Sequence, residues 1–282
     1  MSHGNEKGIY HVIITTYGSS SGWERNPMTV IDLRKFASDR GISIPDQQVI
    51  ISEALDEIIS VYGRDPANLK ANYDDAVFQS EKLAYRVYLR EEEKYGRRVM
   101  EALGVYLIQM MEEDRSFSLG GVLGEHFTIL DRFFLSLAQS RKARAGKGFE
   151  EIHNYLFRML GYPFTAQAVI NGKPDFIMPS VEYYYKNPMD SIIFTAKRTL
   201  RERWRQIVTE GTRGLGFFLA TIDGAVTREQ LSEMMRHRIY MVVPEDLRRE
   251  KYIGMENVIS FSEFFRDHLD PRMEAWRRRG VI

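Results

Sequence analysis

The stretch that decides the fold reads KPDFIMPS (173–180), SIIFTAK (191–197) and RTLRERWRQIVTE (198–210). DFIM and SIIFTA are short apolar runs bounded by turn-forming residues, which predicts two consecutive strands, and the arginine-rich run predicts a helix over 199–212. Outward from there the same alternation continues. AVI (168–170), GFFLATI (216–222) and IYMVV (239–243) predict further strands, with helices over 227–237 and 260–268. Strands alternating with helices make this part an α/β sheet domain.

Toward the N-terminus the pattern changes to helical spacing throughout. A helix starting near Asp46 carries Val49, Ile50, Leu55, Ile58 and Ile59, and a longer one runs from Asp74 to about Met111. The run SFSLGGVLG (116–124) marks a junction, so residues 1–115 are expected to form an all-helical domain and residues 116–282 the sheet domain. Helices are predicted over 127–137 and 149–160, with RKARAGKG (141–148) between them as a basic loop.

Composition narrows the chemistry. The chain has 282 residues, 44% hydrophobic and 28% charged, with zero net charge, no cysteine and six histidines. Thiolate zinc sites and disulfides are excluded, and the histidines show no tight ligand spacing, so a catalytic metal must rest on oxygen donors, which favours magnesium or manganese. No apolar run reaches the ~20 residues that span a bilayer, and a secretory signal is not evident, so a cytoplasmic protein without membrane association is expected. Basic residues cluster locally, as Arg141, Lys142, Arg144 and Lys147, and again from Lys197 to Arg213. Such clusters are commonly solvated helix faces, and here they also suit a phosphate backbone.

Asp175 and Lys197 sit on consecutive predicted strands, and antiparallel pairing would bring them to one end of the sheet. A carboxylate that holds a divalent cation, beside an ammonium that orients water, is what phosphodiester hydrolysis requires. A PD dipeptide alone is a weak signal, and position 195, two before the lysine, holds threonine.

The wider pattern resembles the PD-(D/E)xK nucleases, whose common pattern has an acid where Thr195 stands. More specifically it resembles the EcoRII and PspGI group of type II restriction endonucleases, within the wider family that recognises CCGG. In that branch the missing acid is relocated to the next helix, and Glu210 stands thirteen residues after Lys197. RKARAGKGFEEI (141–152) resembles the group's SRAGKSxE block, LRERWRQIVTE (200–210) its recognition helix, and REQLSEMMRHRIYMVVPEDL (228–247) its C-terminal helix, strand and turn. The resemblance covers about residues 140–265. It implies a mixed-sheet α/β, restriction-endonuclease-like core behind the helical N-terminal domain.

The resemblance also implies roles. Asp175, Glu210 and the Ala196 backbone carbonyl would bind Mg2+, with Mn2+ able to substitute. Glu150 would support a second metal or a water, and Lys197 would position the nucleophile. Arg201 and Arg203 would read guanines and Glu202 a cytosine, while Arg144 and Lys147 would touch phosphates. An arginine forks onto guanine O6 and N7 and glutamate accepts from the cytosine amino group, so one triplet reads one half-site. A double-strand cut then needs two copies about a two-fold axis. The expected partners are double-stranded DNA and a second copy in a homodimer, with a palindromic target holding CC and GG half-sites. Two other readings stay open: a structure-selective or repair nuclease of the same fold, and a non-catalytic DNA-binding regulator.

Overall fold

The computed structural model describes residues 32–113, 118–125, 127–170, 173–200 and 216–282. Among the described residues helices come first: α1 (Leu33–Ser38), α2 (Gln47–Tyr62), α3 (Pro66–Ala71), α4 (Tyr73–Glu113), α5 (Leu119–Glu125) and α6 (Phe127–Met159). Asp32 and Asp65 cap α1 and α3 through side-chain oxygens that accept backbone N–H groups, while Pro66 suits the first position of α3. None of these helices, nor any other among the described residues, is long and apolar enough to cross a membrane.

The sheet follows: β1 (Thr165–Ala166), β2 (Phe176–Met178), α7 (Val181–Lys186), β3 (Ile192–Ala196), β4 (Phe217–Ala220), α8 (Arg228–Arg236), β5 (Ile239–Val243), α9 (Glu245–Lys251) and β6 (Val258–Ser260). The chain ends in α10 (Phe261–Glu263), a π-helical stretch (Phe264–Leu269) and α11 (Asp270–Arg278). Six strands lie in sequence order. The pairs β1–β2 and β2–β3 are antiparallel, whereas β3 to β6 run parallel. This is the mixed α/β sheet expected from the sequence.

Strand alternation sends residues to opposite layers. Phe176, Met178, Ile192, Phe194, Phe218 and Val242 face a core shared with α2, α4, α6 and the C-terminal helices. Ile177, Ile193, Phe217, Leu219, Met241 and Val243 face a second core with Leu231 and Met234 of α8. Both faces of the parallel part are therefore covered, as parallel sheets require.

Two expectations need correction, and one strand was missed. The basic run 141–148 is not a loop: it is helical and lies inside α6. Its glycines suggested a break, but Gly148 lies where side chains of α2 pack closely against α6. A Cβ there would sit 3.1 Å from Gln47 Nε2 and 3.4 Å from Ile51 Cδ1. Residues 168–170 form no extended strand; β1 lies earlier, at Thr165–Ala166, with only a bridge at Ile170. The strand β6 was not anticipated, because three residues carry too little pattern to register.

Helix α6 links the two parts of the structure. Its first half contributes Phe133 and Leu137 to a core with Leu33, Phe36, Tyr95 and Leu103. The second half contributes Phe149, Ile152, Leu156 and Phe157 to the core under the sheet. Arg141 of α6 pairs with Glu92, a buried carboxylate of α4 that also accepts from Tyr88 Oη at 2.8 Å.

Candidate functional site

The antiparallel register pairs Phe176 with Phe194, and one further step sets Asp175 opposite Thr195. The period-two alternation then puts Lys197 on the same side as Thr195. Asp175 is 5% exposed. Its Oδ2 accepts from Thr195 Oγ1 at 2.6 Å, from the Ala196 backbone N–H at 2.7 Å and from Lys197 Nζ at 2.8 Å. Lys197 Nζ also donates to Oδ1 at 2.9 Å. A buried carboxylate needs such partners, because losing water without replacement is costly.

Thr195 thus has a definite place. The residue is 2% exposed, and its hydroxyl donates to Asp175 where an acid would have pressed a second negative charge against it. Lys197 remains partly exposed, at 27% of its side chain, while its ammonium contacts Asp175.

Glu150 comes from α6. Its pKa is raised, first by burial and then by the negative charge of Asp175, while a hydrogen bond from Gln167 and the Lys197 charge act the other way. Gln167 Nε2 donates to Glu150 Oε1 at 2.9 Å. Neighbouring Glu151 takes a different direction, toward Asn154 at 3.4 Å. The structure therefore gathers Asp175, Lys197 and Glu150 at one end of the sheet.

The segment that follows Lys197 is fastened at several points. Lys197 N–H donates to the Ala220 carbonyl at 2.9 Å, Thr221 Oγ1 donates to the Arg198 carbonyl at 3.3 Å, and Leu200 N–H donates to Asp223 Oδ2 at 2.8 Å. Arg198 pairs with Glu81, a largely buried residue of α4. All of this lies at the carboxyl ends of β3 and β4, the edge where open α/β sheets place their ligands.

Of the other expected site residues, Lys147 is exposed on α6. Arg144 is half-buried, with its guanidinium 5.3 Å from the centre of the Tyr88 ring and a 3.3 Å bond to the Pro45 carbonyl. Arg201, Glu202, Arg203 and Glu210 lie outside the described residues. Among the described residues no group of three or more His, Cys, Asp or Glu side chains is arranged to hold a metal; the site there has two carboxylates, Asp175 and Glu150. Gln167, Asp223 and Glu81 were not anticipated. An acid just after a parallel strand is a readable cue for Asp223, but nothing local marks the other two.

The donor set is all oxygen, with two carboxylates of like charge, and it fits a hard divalent cation. Asp175 is the described carboxylate that would hold one, with Glu150 near enough for its charge to be felt.

Comparison with known proteins identifies relatives of this chain. A type II restriction enzyme, SsoII of Shigella sonnei, is 33% identical over 156 residues, covering 51% of this chain and 50% of that protein. The type II restriction enzyme EcoRII of Escherichia coli is 32% identical over 138 residues, covering 46% and 34%. The chain thus spans half or less of the length of these curated relatives. Metal-depleted Ecl18kI in complex with uncleaved, modified DNA superposes with a TM-score of 0.72 at 24% identity, over 87% of this chain and 84% of that one. The PspGI–substrate DNA complex gives 0.58 at 23%, over 88% and 98%. These two likenesses establish the restriction-endonuclease-like fold. The family profile described as EcoRII C terminal matches residues 114–265, more than half of the 282, and the chain belongs to that family.

Proposed function

We propose that this chain is a type II restriction endonuclease that uses Mg2+ to cut both strands of DNA at a palindrome with CC and GG half-sites. The observation that carries the reading is the contact of Lys197 Nζ with both oxygens of buried Asp175, next to Glu150. Family membership and the restriction enzymes it resembles support the same reaction.

In this reading Asp175, the Ala196 carbonyl and Glu210 hold the cation, and Mn2+ substitutes for Mg2+. When bound, the cation polarises the scissile phosphate and lowers the pKa of a nearby water. Lys197, released in part from Asp175, orients the attacking water and offsets negative charge on the phosphate oxygens as they gain it. Glu150 accepts hydrogen bonds from that water or supports a second cation. Asp175 needs no movement for its task, since Thr195 and the Ala196 N–H already hold its carboxylate.

Recognition falls to Arg201, Glu202 and Arg203, which read G·C pairs in the major groove. Lys147 contacts phosphates, and Arg144 joins it by giving up its long bond to Pro45. One copy reads one half-site, so the active species is a homodimer on double-stranded DNA. The test is digestion of a random-sequence DNA library with Mg2+, followed by sequencing of the ends. Ends gathered at palindromes containing CC and GG are expected; scattered ends or no cleavage would overturn the proposal.

A further inference from the structure

Gln167 stands between the two carboxylates and contacts the framework of each. Its side-chain Nε2 donates to Glu150 Oε1 at 2.9 Å. The backbone N–H of the same residue donates to the Asp175 carbonyl at 2.9 Å. These two bonds tie α6, which carries Glu150, to the strand entrance that carries Asp175.

The backbone at this point is unusual. Gln167 has φ of 52°, one of two non-glycine residues with positive φ among those described. L-residues adopt the left-handed region at a cost, and such conformations cluster where a surrounding function requires them. Glycine would occupy this turn without strain, yet glycine has no side-chain amide to offer Glu150. A glutamine here keeps a strained backbone together with a long donor that reaches the carboxylate.

We infer that Gln167 is a positioning residue for the metal-binding carboxylates, fixing the Glu150 side chain and the Asp175 main chain in one relative placement. The inference rests on the nuclease reading above. Groups that orient metal-holding carboxylates through hydrogen bonds change metal affinity or activity by about 10–100-fold when removed.

Two substitutions separate the side-chain role from the backbone. Gln167→Met keeps length and backbone strain but removes the donor, whereas Gln167→Gly removes the side chain and relieves the strain. Mn2+ binding is read by electron paramagnetic resonance titration of the protein alone. Single-turnover cleavage of plasmid DNA, DNA affinity without metal and thermal midpoint are measured on the same samples. Both variants should bind Mn2+ about 10-fold or more weakly and cleave correspondingly slowly, with metal-free DNA affinity unchanged and Gln167→Gly melting no lower than wild type. Wild-type Mn2+ affinity and cleavage rate in both variants would overturn the inference and leave the nuclease reading standing. A fall in DNA affinity and melting temperature that accounts for the lost cleavage would overturn it too, since Gln167 would then be a structural residue. A wild-type protein that cleaves no DNA would overturn the nuclease reading, and this inference with it.

Discussion

Lys197 Nζ lies 2.8 Å from Asp175 Oδ2, joining residues twenty-two apart in the chain across the antiparallel pair β2–β3. The ammonium neutralises a carboxylate buried to 5% exposure, and in the proposed reaction the same cation offsets charge on the phosphate. Lys197→Met should therefore slow DNA cleavage by about 100-fold or more while leaving DNA bound, as expected for loss of a group that stabilises developing charge. Single-turnover rates alongside gel-shift affinities check this; cleavage within a factor of two of wild type would remove Lys197 from the reaction.

Thr195 donates at 2.6 Å to the same carboxylate oxygen. Thr195→Val keeps the shape and drops the hydroxyl, so stability should fall by about 1.5–3 kcal/mol, the range for hydrogen bonds to charged groups. Urea unfolding measures the difference, and an unchanged midpoint would show that the bond contributes nothing.

His153 lies fully buried in α6, one turn past Glu150, within the rings of Phe149, Phe194 and Phe261. Its Nδ1 shares a 2.8 Å hydrogen bond with Tyr73 Oη. Burial pushes the imidazole pKa down from 6.5 to about 3. The unfolded chain then binds the extra proton first, so the stability due to neutral His153 is complete above pH 6.5 and declines as pH falls toward 3. The decline is about 1.4 kcal/mol per pH unit. Other groups titrate in this range as well, so the informative quantity is the difference between wild type and His153→Phe. The variant should lose less stability between pH 6.5 and 4.5; parallel curves would contradict a buried neutral imidazole.

The central pair was readable because its two parts lie on adjacent runs of apolar residues, each long enough to be seen as a strand, with a motif at their ends. Glu150 was readable only through the resemblance of residues 141–152 to a family block. The same block misled at the level of local structure. Gly146 and Gly148 read as a loop, yet Gly148 serves a close helix crossing against Gln47 and Ile51, a tertiary fact with no local mark. Gln167 was beyond reach for a similar reason, since its role depends on a left-handed backbone and a partner seventeen residues away. Glu81 reaches Arg198 across 117 positions, and no local pattern encodes that distance.

The proposed reading of bases by Arg201, Glu202 and Arg203 also has a direct consequence. Arg203→Ala should relax discrimination at one G·C pair by about 1–3 kcal/mol, with non-specific DNA binding nearly unchanged. Cleavage rates on substrates altered one base pair at a time would show it. Equal loss on every substrate would instead make Arg203 a phosphate contact.

Mg2+-dependent cleavage of supercoiled plasmid by wild type and Asp175→Asn, with DNA binding measured on the same preparations, tests the central claim most directly. Wild type should give discrete linear fragments only when Mg2+ is added, and Asp175→Asn should bind DNA without cutting it. Cleavage by Asp175→Asn at the wild-type rate, or discrete cleavage by wild type with the metal chelated, would contradict the account.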